Sequence, residues 1–149
     1  MKSEPTECSF EDVLSRPNQT VDWFGIRNYQ ARNFMRDLMK PGDGVLFYHS
    51  SCKNPGIVGI AEIASEAYPD RLQFDPASEY YDAASTPQKP RWLAVDVKAL
   101  RAVPIITLAE LRSHPQTAGM RVLARGNRLS ITPVAQDEFR FITEILAPA

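Results

Sequence analysis

The chain has 149 residues, 44% of them hydrophobic and 23% charged, with a net charge of -1. That balance excludes a disordered or fibrous polypeptide, and it excludes a polycation that grips nucleic acid by charge alone. The length suits a single domain, residues 1–149, large enough to bury a core.

No apolar run reaches the roughly 20 residues of a membrane helix. The start, Met1-Lys2-Ser3-Glu4-Pro5, is too polar for a signal peptide. Cys8 and Cys52 form no paired-spacing motif, so a reduced cytosolic or nuclear setting is expected and is read as cytoplasmic. Acids outnumber bases between Glu62 and Asp96, and the reverse holds from Lys98 onward. A local basic surface is therefore possible on a neutral chain.

In chain order, Lys2 to Pro5 reads as the tail of a short strand stopped by proline. Ser9 with Asp12 forms a capping box for a helix through Leu14, and Pro17-Asn18-Gln19 is a turn. A Trp23-Phe24-Gly25 turn opens a central helix from about Arg27 to Met39, with Ala31, Phe34, Met35 and Leu38 on its apolar face. Val45–Tyr48 is a buried-strand pattern that pairs as a hairpin with Ile57–Ile63, where Gly59 marks a weak point or bulge. From Glu66 to Pro90 no period survives, which predicts a functional loop or lid, or an element that leaves no periodic signal. Arg91 to Val103 alternates and is the longest strand candidate. Thr107 with Glu110 caps a short helix, Arg125-Gly126-Asn127-Arg128 is a turn, and Leu129–Ile131 is a short strand. Phe139, Ile142 and Ile145 or Leu146 mark a terminal amphipathic helix. The pattern gives an α+β fold with a curled or barrel-like sheet and short helices around it.

Three groupings could carry chemistry. Trp23, Asn28, Tyr29, Tyr48 and Trp92 combine aromatic faces with an amide, as a flat polar ligand requires; composition alone assigns such aromatics to the core. Arg27, Arg32, Arg125 and Arg128 suit phosphate through their planar forks, or else form a solvated face. His49, Ser50, Ser51 and Cys52 invite a hydrolase reading. They are neighbours on one strand end, however, and no glycine-flanked serine elbow surrounds them. A metal site is not expected, because His49 and Cys52 supply two ligands where structural zinc takes four. Phosphate-loop and dinucleotide fingerprints are absent, and no cofactor is expected.

These residues resemble a known family. Lys2-Ser3-Glu4-Pro5, the run from Trp23 through Arg27-Asn28-Tyr29-Gln30-Ala31-Arg32-Asn33, Gly42 to Ser50, Pro55 to Gly59, Tyr68-Pro69-Asp70, Phe74-Asp75-Pro76, Tyr80-Tyr81-Asp82, Pro90 to Val97 and Arg125 to Ile131 are similar to the EVE domain. The resemblance covers nearly the whole chain. It implies a PUA-like pseudo-barrel of mixed and antiparallel strands surrounded by short helices, related to the YTH and ASCH domains; relatives carry further residues ahead of Lys2-Ser3-Glu4-Pro5, so the first strand is short here or the numbered chain starts late. It further implies a non-catalytic reader that takes a modified base of DNA or RNA, such as a modified cytosine, into an aromatic pocket.

The matching base-binding positions are Ser3, Glu4, Trp23, Ile26, Arg27, Asn28, Tyr29, Tyr48, His49, Ser50 and Trp92. Arg32, Arg125, Arg128 and Ser130 match as phosphate contacts. The competing expectation is an enzyme or sensor acting on a nucleotide-like small molecule in the same pocket, with Glu4 or His49 as base. A third is a plain protein-interaction module.

Overall fold

The computed structural model describes residues 1–149. Its centre is a curled mixed sheet with strand order β1-β3-β4-β6-β2. The strands are β1 (Lys2–Ser3), β2 (Thr20–Trp23), β3 (Gly44–His49), β4 (Gly56–Ile63), β5 (Tyr68–Pro69) and β6 (Leu93–Thr107). β1 runs parallel to β3, with Ser3 opposite His49. The other neighbours are antiparallel, and the short β5 pairs with the start of β6. Register shifts interrupt β3 against β4 after Phe47, and β4 against β6 on either side of Gly59. Such bulges sharpen local twist, so the sheet bends into a half-barrel instead of lying flat. With short helices around it, this is the PUA-like α+β architecture.

β3 has no polar alternation because both of its faces are covered. Val45 and Phe47 enter one core, with Phe10, Val21, Trp23, Met35 and Val95. Leu46 and Tyr48 enter a second core, with Ile57, Ile106, Leu111 and Ile142. The helices α1 (Phe10–Ser15) and α2 (Tyr29–Asp37) contribute to the first core. The helices α3 (Leu108–Ser113) and α4 (Gln136–Phe141), the latter running on as a π turn through Leu146, contribute to or pack against the second. The capping box of α1 forms as expected: Asp12 N donates to Ser9 Oγ at 3.1 Å and Ser9 N donates to Asp12 Oδ2 at 2.8 Å.

Three elements differ from expectation. Thr20–Trp23, where no strand was expected, is the edge strand β2; it sends Val21 and Trp23 inward and pairs Trp23 with Val95. The central helix begins at Tyr29, because Asn28 is its cap, and ends at Asp37. Leu38, expected on the buried face, is 58% exposed just past the last turn. Leu129–Ile131 forms no strand: Ser130 O accepts one bond from Lys2 N at 2.7 Å, and Ile131 alone plugs the core.

The aperiodic stretch after β4 is organised by two buried polar side chains. The carboxylate of Asp70 accepts from Gly25 N at 2.8 Å, Leu72 N at 2.8 Å and Arg27 Nη1 at 3.0 Å. The amide of Gln73 donates to Asp70 O at 2.7 Å and to Trp92 O at 2.8 Å. Its oxygen accepts from Ser85 Oγ and from the backbone N–H groups of Arg91 and Trp92. The loop therefore replaces a hydrophobic core with satisfied hydrogen bonds.

Candidate functional site

Two adjoining hollows open where β1, the turn after β2 and the 127–130 segment meet. The first, of about 440 Å³, is lined by Ser3, Trp23, Phe24, Ile26, Glu79 and Tyr80 among others. The second, of about 450 Å³, is lined by Glu4, Ser50, Ser51, Asn127 and Arg128 and has no hydrophobic wall. Lys2, Glu7 and Ser130 border both, so the two form one groove with an aromatic end and a polar, charged end. A slightly larger hollow of about 500 Å³ lies elsewhere, between the end of α2, the start of β3 and α4. It is mainly aliphatic and contains none of the expected site residues, so its size does not make it the better candidate.

The chain builds the aromatic end from a constrained turn. Gly25 has φ +80, and a side chain there would lie 2.9 Å from the Tyr80 ring. Glycine is thus required both by conformation and by space. Tyr80 is held from below, since Arg27 Nε and Nη2 donate to its carbonyl at 3.1 and 2.8 Å. Its ring meets Phe24 edge-on at 6.0 Å. Burial first, and then the nearby carboxylates of Glu79 and Glu7, push the Tyr80 hydroxyl pKa up, so it remains a neutral hydrogen-bonding group. Trp23 forms the floor; it is 8% exposed and packs edge-on against Phe47 at 5.6 Å.

At the polar end, Asn127 Oδ1 accepts from Leu129 N at 3.2 Å, but Asn127 Nδ2 is buried with no partner. An unsatisfied buried donor costs about 1–3 kcal/mol, so it invites an acceptor. Ser51, which lines the same hollow, has φ +53, an uncommon conformation for serine.

Of the expected residues, the groove gathers Ser3, Glu4, Trp23, Ile26, Ser50, Arg128 and Ser130. Others are placed differently. Tyr48 faces the opposite core and does not reach the groove. His49 Nε2 accepts from Phe10 N at 3.1 Å, closing the start of α1, and burial lowers its pKa. An imidazole spent in this way is not a free general base. Asn28 Oδ1 caps α2 by accepting from Ala31 N at 3.0 Å.

Trp92 gives its indole N–H to Asp82 Oδ2 at 2.8 Å, and its ring stacks on Tyr29. Arg27 is committed to Ile26 O, Asp70 and Tyr80 O. Arg32 is committed to Asn33 Oδ1 and Arg91 O. Arg125 is exposed and outside the lining.

Residues the sequence did not single out are Lys2, Glu7, Phe24, Glu79, Tyr80 as a wall, and Asn127. The Arg-Gly-Asn-Arg turn signalled where Asn127 lies, and the aperiodic stretch from Glu66 to Pro90 signalled a functional loop around Glu79 and Tyr80. No group of three or more His, Cys, Asp or Glu side chains gathers that could hold a metal ion, and no helix is long and apolar enough to cross a membrane.

A family model described as the EVE domain matches residues 1–145. Human thymocyte nuclear protein 1 is 44% identical over 97% of this chain, which spans 72% of that protein. The chicken protein of the same name is 43% identical, and this chain spans 66% of it. Among solved structures, a Pseudomonas putida protein superposes with a TM-score of 0.89 at 43% identity, covering 95% of this chain and 94% of that one. The crystal structure of human THYN1 protein in complex with 5-methylcytosine-containing DNA superposes with a TM-score of 0.86 at 45% identity, covering 95% and 92%.

Proposed function

This chain belongs to the EVE domain family, and we propose that it is a non-catalytic binder of nucleic acid that holds a modified base, such as 5-methylcytosine, in the groove between β2 and the 127–130 segment. The observation that carries the reading is the contiguity of the two hollows: an aromatic end adjoins a polar end where Lys2, Arg128 and the Asn127 amide stand beside Glu4 and Glu7. Support comes from the related human protein, which has been crystallised with DNA containing 5-methylcytosine.

In this reading Trp23, Ile26 and Tyr80 wall the base, a contact that contributes about 1–3 kcal/mol by stacking. Ser3 and neighbouring main-chain groups meet its edge. Lys2, Arg128, Ser130 and the free Asn127 Nδ2 face the adjoining phosphate. Extruding a base from a duplex costs a few kcal/mol, so mismatched or unpaired targets bind best.

The experiment is fluorescence anisotropy with labelled oligonucleotides, matched in sequence and carrying cytosine or 5-methylcytosine, as DNA and as RNA, at two salt concentrations. Tighter binding of the modified strand at both salts is expected. Equal affinities that vanish together in salt would leave only charge attraction and overturn the reading.

A further inference from the structure

The turn that follows β1 carries an unused carboxylate into the wall of the groove. Glu7 N and Cys8 N both donate to Glu4 O, at 2.9 and 3.0 Å. Ser3 Oγ closes the turn by donating to Cys8 O at 2.7 Å. The backbone that carries Glu7 is thereby fixed, and Glu7 stands where the two hollows adjoin, lining both. Its charge is felt at the aromatic wall: after burial and Glu79, it is the next group that pushes the Tyr80 hydroxyl pKa up.

The main-chain N–H groups of Lys2, Glu7, Cys8 and Gly25, all in the lining of the aromatic end, are used within the protein, on Ser130 O, Glu4 O and Asp70. Ser3 spends its one hydroxyl proton on Cys8 O, so its oxygen can only accept. An ionised carboxylate also only accepts, and Glu7 takes part in none of the five ion pairs of the chain. The cations Lys2 and Arg16 share this lining without pairing with it. Of the other acids there, Asp22 is paired with Arg71 at 3.6 Å. Glu79 acts more strongly than Glu7 on the Tyr80 hydroxyl and is its natural acceptor. Glu7 is left for a ligand.

We infer that Glu7 selects the base held in the groove by its exocyclic amino group, so that an amino-pyrimidine is taken and its keto counterpart is refused. A carboxylate is a natural acceptor for the N4 amino group of cytosine. A keto oxygen in the same place would face the Glu7 anion with no proton between them, and both acceptors would lose their water without gaining a partner. The inference rests on the base-holding reading of the groove and names the part of the base that is read. It is separate from recognition of the 5-methyl group, because thymine carries the same methyl and differs from 5-methylcytosine in having a keto oxygen, with a proton on N3, where cytosine has the amino group.

The test uses single-stranded oligonucleotides, so that base pairing plays no part, with a central 5-methylcytosine, cytosine or thymine in one adenine context. Affinities are measured for the wild type, Glu7→Gln, Glu4→Gln and Glu79→Gln. The wild type is expected to favour 5-methylcytosine over thymine by about 5- to 150-fold. Glu7→Gln presents either an oxygen or an NH2 to the base and should lose most of that ratio, while its preference for 5-methylcytosine over cytosine stays. Glu4→Gln and Glu79→Gln remove the same charge nearby and should keep the ratio. Glu7 is exposed, so its substitution leaves the fold intact. A ratio that survives Glu7→Gln, or that falls equally in all three variants, would overturn the assignment. A wild type that binds 5-methylcytosine and thymine equally, and both better than cytosine, would overturn the amino reading and leave the base-holding reading standing. Equal affinity for all three strands would overturn both.

Discussion

Asp70→Asn is the sharpest probe of how the groove is held in shape. The Asp70 side chain is fully buried, and its two oxygens accept from Gly25 N, Leu72 N and Arg27 Nη1. The amide keeps the size but turns one acceptor into a donor, which must face either Leu72 N or the pair formed by Gly25 N and Arg27. At least one buried N–H is then orphaned, at about 1–3 kcal/mol. Arg27, with 22% of its side chain exposed, also loses its carboxylate. Breaking a fully buried pair costs about 3–5 kcal/mol, and this exposure reduces it, so a total near 3 kcal/mol is expected. For a chain of this length that corresponds to a fall in Tm of about 6–12 °C.

The assay is urea denaturation followed by circular dichroism, with the midpoint and slope fitted together. A lower midpoint at constant slope is expected, and Arg27→Gln added on top should cost less than it does alone. A change below about 1 kcal/mol, or full additivity of the two substitutions, would refute the claim that this network positions the loop.

Other consequences are equally testable. His49 is kept neutral by burial, so the unfolded chain takes up a proton first as pH falls below about 6.5; stability contributed by the neutral ring is intact above that pH and declines toward the lower folded value. His49→Gln should flatten that part of a stability-against-pH curve. Gly59→Ala would set a methyl 2.3 Å from the Phe10 ring and should cost about 1–3 kcal/mol in denaturation midpoint. Arg128→Ala should weaken modified and unmodified oligonucleotides alike and lower the slope of log affinity against log salt by about 0.7–0.9. Asn127→Asp removes the free donor and adds a negative charge in the polar end; oligonucleotide affinity should fall about tenfold, measured by anisotropy.

The hairpin of β3 and β4, the long β6 and the capped α1 and α3 were legible because each carries a local signal: an apolar run, alternation, or Ser or Thr placed three residues before an acid. β2 was not, since four residues with two inward side chains are too few to show a period. Leu129–Ile131 has the alternation of a strand but pairs through one hydrogen bond only, and no local pattern reveals a missing partner. The site divides in the same way. Trp23, Ile26, Arg128 and the Ser3–Glu4 segment line the two adjoining hollows. Tyr48 and His49 could not be oriented, because a strand buried on both faces carries no polarity to say which side meets a ligand. Asp70 and Gln73, which shape the groove, looked like ordinary loop residues; their burial is decided by partners distant in the chain.

The most direct measurement is the emission of Trp23 in a Trp92→Phe protein, where it is the sole tryptophan, during titration with matched oligonucleotides. The account predicts quenching by the strand carrying 5-methylcytosine that tracks binding, and much weaker quenching by the unmodified strand at equal occupancy. Binding of the modified strand that leaves Trp23 emission untouched would mean that the base sits elsewhere, and would contradict the assignment of the groove.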